Sequence, residues 1–226
     1  MIVEQEDISR VHRSKEEAKK FYDRISGTYD WLWGILERRP AEKALNYIGI
    51  RSGETVLEIG FGTGHCLQQI AKSVGKSGKA YGIDISGGMV QRAREKLKSA
   101  ALLDRVELHC GDASELPFGN ETFDAVFMSF TLELFDTPEI PMVLEGIRRV
   151  LKPNGRLGVV SLSRSNVDSL SLRIYEWIHR KWPKYVDCRP ICLNRSLGKA
   201  GYDIRRKEAA RLLVLPLEII IATRRI

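Results

Sequence analysis

Short β-prone runs alternate along this chain with stretches of helical spacing. Val56–Ile59, Lys79–Asp84, Val106–Cys110, Phe123–Phe130 and Arg156–Ser161 read as five strands. The fourth is nearly all apolar, which suits a strand covered on both faces. Residues 65–74, 88–97 and 138–151 repeat their apolar positions with helical period, and Lys152-Pro153-Asn154-Gly155 closes the last of these. Strands alternating with helices predict an α/β fold around a largely parallel sheet. Ahead of this pattern, residues 1–13 are polar and read as a mobile tail. Ser14 and Glu17 form a capping box for a helix to about Ile25 that gathers Ala18, Phe21, Tyr22 and Ile25 on one face. An aromatic-rich segment follows to Leu36, then a helix over Pro40–Ile48. Beyond Ser161 the alternation breaks. An amphipathic helix over 170–182 with Tyr175 and Trp177 is followed by a short helix at 194–200 and two strands, 202–205 and 215–223.

Composition narrows this little. The chain has 226 residues, 43% of them hydrophobic, which suits one sizeable core. Its formal charge of +7 favours an anionic partner, substrate or lipid surface without choosing among them. Cys66 and Cys110 sit in apolar surroundings and read as buried thiols. With no C-x-x-C pair and no secretory signal pattern, a reducing, cytoplasmic location is expected. The longest apolar run, 212–222, carries Pro216 and Glu218 and is too short to span a bilayer. Arg148-Arg149, Arg205-Arg206-Lys207 and Arg224-Arg225 are short and dispersed, as solvated faces are.

Candidate chemistry concentrates at Val56-Leu57-Glu58-Ile59-Gly60-Phe61-Gly62-Thr63-Gly64, a strand entering a turn with a glycine at every second position. Glycine accepts positive φ without cost and lets a ligand approach bare backbone, and the helix that follows offers free N–H groups. Asp84 ends the second strand 20 residues beyond Gly64, the distance at which a carboxylate meets a ribose. Asp112 follows the third strand and is placed near an adenine amino group, with the Ala113 backbone by the ring. Met89 lies against a base or in the core. A dinucleotide site wants G-x-G-x-x-G, whereas this turn is G-x-G-x-G, and Glu58 before it repels a pyrophosphate but suits a cationic amino group. No G-K-[ST] follows, which excludes a Walker-type site. Three acids facing an amino-acid end, a ribose and an adenine fit S-adenosylmethionine. No metal-ligand cluster is visible: His12, His65, His109 and His179 are scattered, with His65 at a helix start and His109 inside a strand.

At these residues the chain resembles the class I S-adenosylmethionine-dependent methyltransferases, through VLEIGFGTG, YGIDIS, GDASELPF, FDAV and RRVLKPNGRLGVV in order. The resemblance implies a single Rossmann-like, seven-stranded sheet in the order 3-2-1-4-5-7-6, the last strand antiparallel, with helices on both faces. It implies S-adenosylmethionine as cofactor, held by Tyr22, Tyr29, Glu58, Gly60, Gly62, Gly64, Asp84, Ile85, Met89, Asp112, Ala113 and Ser129. Phe21 to Asp30 is similar to the opening of the ubiquinone/menaquinone and phosphatidylethanolamine methyltransferases. There this segment closes over the cofactor, with Tyr29 matching a tyrosine near the methionine end. Quinone C-methyltransferases usually carry an arginine–asparagine pair after the fourth strand, where this chain has Leu132-Glu133-Leu134.

The expected organisation is a helical cap over residues 1–48 and a methyltransferase domain over 49–226, with a substrate lid at about 163–190. Glu133 is the candidate general base and Tyr29 its catalytic companion. Trp33, Glu133, Tyr175, Asp187 and Arg189 are the candidate acceptor contacts, Asp187 and Arg189 reading a polar head group. The expected acceptor is a small molecule or lipid, with peripheral membrane contact compatible with the basic balance and the Trp177/Trp182 helix. RNA or protein methylation, a dinucleotide-dependent oxidoreductase and a non-catalytic S-adenosylmethionine-binding protein are the alternatives. No N-P-P-Y-type tetrad follows the fourth strand to favour RNA.

Overall fold

The computed structural model describes residues 10, 11, 13–29, 34–164, 175, 177, 181 and 188–225, with Ile35 by its backbone alone. Among them, seven strands form one sheet in the order β3-β2-β1-β4-β5-β7-β6. The strands are β1 (Thr55–Ile59), β2 (Lys79–Asp84), β3 (Val106–Cys110), β4 (Phe123–Ser129), β5 (Leu151–Leu162), β6 (Tyr202–Leu212) and β7 (Leu215–Arg224). The first five run parallel, while β7 is antiparallel to both β5 and β6. This is the sheet order that the resemblance implies.

Helices cover both faces. α2 (Ile35–Ile48), α3 (His65–Val74) and α4 (Gly87–Ser99) bury Ala44, Ile48, Leu67, Ile70 and Leu97 on one side. α5 (Ile140–Val150) and α6 (Leu193–Lys199) bury Ile140, Leu144, Ile147 and Leu197 on the other. Between the two layers β4 buries Phe123, Ala125, Val126, Phe127 and Met128 completely, as its unbroken apolar run requires. α1 (Lys15–Ile25) begins at the expected capping box: the Glu17 amide donates to Ser14 Oγ, and the Ser14 amide donates to Glu17 Oε2.

Several boundaries differ from the sequence expectation. α2 starts at Ile35 and carries Pro40 inside it. Its inner positions Ala41, Ala44, Leu45 and Ile48 are buried, and this packing outweighs the local cost of the proline. β5 begins at Leu151, not Arg156, because Leu151 pairs with Phe123 of β4 ahead of a register shift; Lys152 is tied to Asp124 at 2.7 Å. β6 extends to Leu212 rather than Arg205. It is an edge strand with an outer face open to water, so its arginines and lysine hide the alternation that marks a strand. Cys66 is buried as expected, but Cys110, at the end of edge strand β3, is exposed. Of the stretch read as a mobile tail, Arg10 and Val11 are bonded to Asp136.

The chain runs outward from β1 to β3 and returns to β4 beside β1. The crevice at the carboxyl ends of β1 and β4 is the topological switch point, where open α/β sheets bind ligands.

Candidate active site

A cavity of about 270 Å³ opens at that switch point. Ile59, Gly60 and Gly62 form its wall from β1 and the glycine turn, and Ile83, Asp84 and Ile85 from the end of β2. Met89, Gly111, Asp112 and Ala113 follow, then Ser129, Phe130 and Thr131 from the end of β4. Val11, Arg13, Lys15, Phe21, Tyr22 and Tyr29 cover it from the N-terminal side.

The three glycines of the turn have different tasks. All have positive φ. A Cβ on Gly64 would lie 2.8 Å from the Ala93 Cβ, so Gly64 lets α3 approach α4. A Cβ on Gly60 would lie 2.4 Å from Thr131. At Gly62 a Cβ would meet nothing within 4 Å: this is the bare backbone that a ligand can approach.

Asp84 joins the turn to β2. Its Oδ2 accepts from the Gly62 amide at 2.8 Å and its Oδ1 from the Ser86 amide at 2.9 Å. An ionised carboxylate has about four acceptor sites, so capacity remains for two ribose hydroxyls. Burial pushes this carboxyl up to about 6, opposed by the Ser86 and Gly62 amides. Once protonated, it loses acceptor capacity. Affinity for S-adenosylhomocysteine is therefore expected to be full above this value and to fall as the pH drops below it. The limiting slope is about tenfold per pH unit, read by calorimetry across that window.

Asp112 lies on the wall, where Lys15 reaches it at 2.6 Å and the Ser114 amide donates to its Oδ1 at 2.9 Å. Burial works to raise this carboxyl, but those partners hold it below its ordinary range. Lys15 also pairs with Glu139 at 2.8 Å. Nearby, Arg10 forks onto Asp136 at 2.6–2.9 Å, and the Val11 amide adds a bond at 3.0 Å. Against the effect of burial, these contacts hold the Asp136 carboxyl down at about 2. α1 is anchored from its far end, where Asp23 Oδ1 accepts from Ser86 Oγ at 2.6 Å and from the Gly88 amide at 2.9 Å.

Two polar atoms in this region mark what the site can take. Ser129 Oγ, on the cavity wall, is buried without a hydrogen-bond partner among the described residues. Glu58 is buried behind the wall, with Oε2 likewise unpartnered among the described residues. Burial and the neighbouring Asp84 push the Glu58 carboxyl well up. A cationic ammonium would relieve that stress. The wall carries Glu37, Asp84, Asp112, Asp136 and Glu139 against Arg13 and Lys15, so the pocket is acidic in a chain of charge +7. The donor and acceptor set fits S-adenosylmethionine: Asp84 could hold the ribose, Asp112 and the Ala113 backbone the adenine, and Ser129, with Glu58 behind it, the amino-acid end.

Tyr22, Tyr29, Gly60, Gly62, Asp84, Ile85, Met89, Asp112, Ala113, Ser129 and Tyr175 all come together on the cavity wall. Glu58, Gly64, Glu133 and Arg189 do not. Glu133 is 0% exposed and Arg189 is 0% exposed. Glu133 sits in a single turn of 3-10 helix over Leu132–Leu134, where its Oε1 accepts from the Leu162 amide at 3.2 Å. Burial pushes its carboxyl up to about 8. Arg189 donates to the Phe135 carbonyl at 2.5 Å, and burial pulls its guanidinium down to about 10. Both side chains hold the segment after β4 from behind, and neither reads a head group on the wall. Trp33 and Asp187, with Trp182 and most of 165–187, lie outside the described residues. His65 bonds Glu42 and Gln69 at the α2–α3 junction, and His109 pairs with Glu107; neither lines the cavity.

Sequence reading missed Glu37, whose Oε2 accepts from the Tyr29 hydroxyl at 3.0 Å on the same wall. It also missed Phe130, held at φ 52°, a strained position of the kind that clusters at functional sites. Leu212 and Leu215, from the β6–β7 hairpin, were missed as well. Glu37 had no local signal, since it stands among the charged residues of an ordinary helix. Among the described residues no group of three or more His, Cys, Asp or Glu could hold a metal ion, and no helix is long and apolar enough to cross a membrane.

Comparison with known proteins agrees with this geometry. The methyltransferase-domain family matches residues 56–155. The chain is 30% identical over 154 residues to a 2-phytyl-1,4-naphtoquinone methyltransferase of Trichormus variabilis, covering 66% of each protein. It is 37% identical over 123 residues to the ubiquinone/menaquinone biosynthesis C-methyltransferase UbiE of Salmonella arizonae, covering 54% of this chain and 48% of the relative. The match thus spans just under two thirds of the first relative's length and about half of the second's. Among solved structures, a SAM-dependent methyltransferase from Aquifex aeolicus superposes with a TM-score of 0.65 at 25% identity, covering 90% of this chain and 97% of that one. The glycine turn, the acid that binds it to β2 and the sheet order all agree with these likenesses: the chain belongs to the class I S-adenosylmethionine-dependent methyltransferases, related to the ubiquinone/menaquinone C-methyltransferases.

Proposed function

We propose that this chain transfers a methyl group from S-adenosylmethionine to a small, quinone-like acceptor. The observation that carries the reading is the division of the cavity wall. On it Asp84 ends β2 and Asp112 follows β3, while the segment after β4, the end of β5 and the β6–β7 hairpin, across the sheet order, contribute Phe130, Leu134, Phe135, Leu162, Leu212 and Leu215. A polar donor and an apolar ring are thereby brought end to end. The names of the curated relatives supply the quinone class.

When bound, the cofactor supplies an electrophilic methyl, so the protein contributes alignment, exclusion of water and proton handling. The acceptor gains a carbon bond and loses a hydrogen as a proton. In this reading Tyr29 and Glu37 receive it: the tyrosine oxygen takes the proton while its own passes to the carboxylate, and the 3.0 Å bond between them supports the relay. Glu133 serves instead as a positioning residue, keeping Leu134 and Phe135 on the wall through the Leu162 amide.

The test uses methyl-labelled cofactor with a reduced naphthoquinone as acceptor. Label in the organic phase is expected, and label only in added RNA or protein would overturn the acceptor class. Glu37→Gln is expected to lower turnover by about a hundredfold, the lower end for loss of a general base, with S-adenosylhomocysteine affinity retained. Glu133→Gln keeps the acceptor that Leu162 needs and is expected to retain turnover within a few fold. The reverse ranking would make Glu133 the base.

A further inference from the structure

The turn between β6 and β7 is built against ordinary turn chemistry. Leu212 pairs with Leu215, leaving Leu213 and Val214 as a two-residue hairpin loop. Such loops favour glycine, asparagine or aspartate, because the central residues adopt positive φ. Here Leu213 has φ 55°. Leu213 is 73% exposed and Val214 is 68% exposed. The chain thus accepts backbone strain and the exposure of two apolar side chains at one tip, and neither helps it fold. Residues on either side of the tip, Leu212 and Leu215, line the cavity at its apolar end.

We propose that this tip is a docking finger that inserts into the surface of an anionic lipid bilayer, setting the apolar mouth of the cavity against the membrane. Charge argues for a lipid surface over an apolar protein partner. The chain carries a formal +7, and Arg211, beside the tip, is exposed and has no carboxylate partner among the described residues. Tyr175 packs in the same cluster as Leu212 and Leu215. Two residues on, Trp177 is half exposed with the Lys181 ammonium 5.0 Å from its ring, the aromatic and basic pairing that suits a membrane interface. An acceptor dissolved in the bilayer would reach Leu212 and Leu215 without crossing water. That last step rests on the acceptor class proposed above; the docking itself does not.

The full chain is sedimented with vesicles of phosphatidylglycerol and phosphatidylcholine in equal parts, and with vesicles of phosphatidylcholine alone, in the absence of any methyl donor. Binding to the anionic vesicles is expected, weakened by salt. Leu213→Gly combined with Val214→Ser is expected to reduce it at least about tenfold. Glycine relieves the positive φ, so the variant should melt no lower than the parent and bind S-adenosylhomocysteine equally well. Failure of the parent to bind anionic vesicles, or equal binding by the variant, would overturn the proposal. So would a dimer of the parent that the variant loses without any vesicle binding, which would give the tip to a second copy. Because no methyl transfer is measured, a failed vesicle experiment leaves the proposed reaction standing, and a failed labelling experiment leaves the docking standing.

Discussion

Asp84→Ala is expected to weaken S-adenosylhomocysteine binding at least about a hundredfold, since charge-assisted hydrogen bonds to two hydroxyls are worth roughly 1.5–3 kcal/mol each. Two further effects add to this loss. The carboxylate also receives the Gly62 and Ser86 amides, so alanine leaves two donors without their acceptor and releases the glycine turn from the end of β2. Asp84→Asn separates the contributions. Its amide oxygen can keep one of those bonds, and its affinity should fall between the two. The stability of the ligand-free protein gives an independent check. Burial holds the Asp84 carboxyl at about 6 in the fold, above the usual carboxylate range. A carboxyl raised by folding costs stability as pH climbs through that window, and by pH 8 the cost is complete. Asparagine carries no such cost. Ligand-free Asp84→Asn should therefore melt no lower than the parent at pH 8, while its shift on adding ligand shrinks. A lower melting point would mean that the two amide bonds outweigh the burial of the charge.

Gly64→Val is expected to remove about 2–6 kcal/mol of stability, by adding a β-branched side chain at positive φ to an overpacked contact. Its φ is 81°, and the new Cβ would stand 2.8 Å from the Ala93 Cβ and 3.1 Å from the Ala93 Cα. Backbone sits behind that contact, so rotation of a side chain cannot relieve it. Domains of this kind have about 5–15 kcal/mol in total, and such a loss should show as a large fall in urea midpoint. Gly62→Ala is the matching control. Its Cβ meets nothing within 4 Å, so only the left-handed conformation is penalised, at about 1–2 kcal/mol. It should fold and yet bind S-adenosylhomocysteine poorly, because the new methyl crowds the backbone face that a ligand approaches. If Gly64→Val kept its stability and lost only affinity, the third glycine would be a ligand contact after all.

These two glycines show how far a sequence reading reaches. Spacing put all three glycines in one ligand-facing turn, and for Gly62 the open space around its Cα agrees. For Gly64 it does not, because the neighbour that requires glycine there, Ala93, is 29 positions away in the chain. Glu133 shows the same limit from another side. A carboxylate just past the end of β4 is in the right place along the chain for a base. Which way a side chain points out of one turn of 3-10 helix depends on what packs around it, and here the Leu162 amide waits behind the wall. Glu37 was illegible for the converse reason: it becomes part of the cavity only when α2 is docked beside Tyr29.

By itself, the sequence determined the strands, the glycine turn and the acids at the strand ends, and through them the fold and the methyl donor. All of these are written in short-range patterns: the period of a strand or helix, the φ that a glycine permits, the reach of one strand–turn–helix–strand unit. Only the tertiary structure decided which of these residues face the ligand. It bonded Arg10 and Lys15 to Asp136 and Asp112 across the whole length of the sheet domain's first half. It also turned Glu133 and Arg189 inward and brought the β6–β7 hairpin to the mouth of the cavity. Arg10 and Asp136 are 126 positions apart, Arg189 and Phe135 54, and Glu133 and Leu162 29, beyond the reach of one helix or strand period, where packing, burial and long-range charge act and local pattern carries no information.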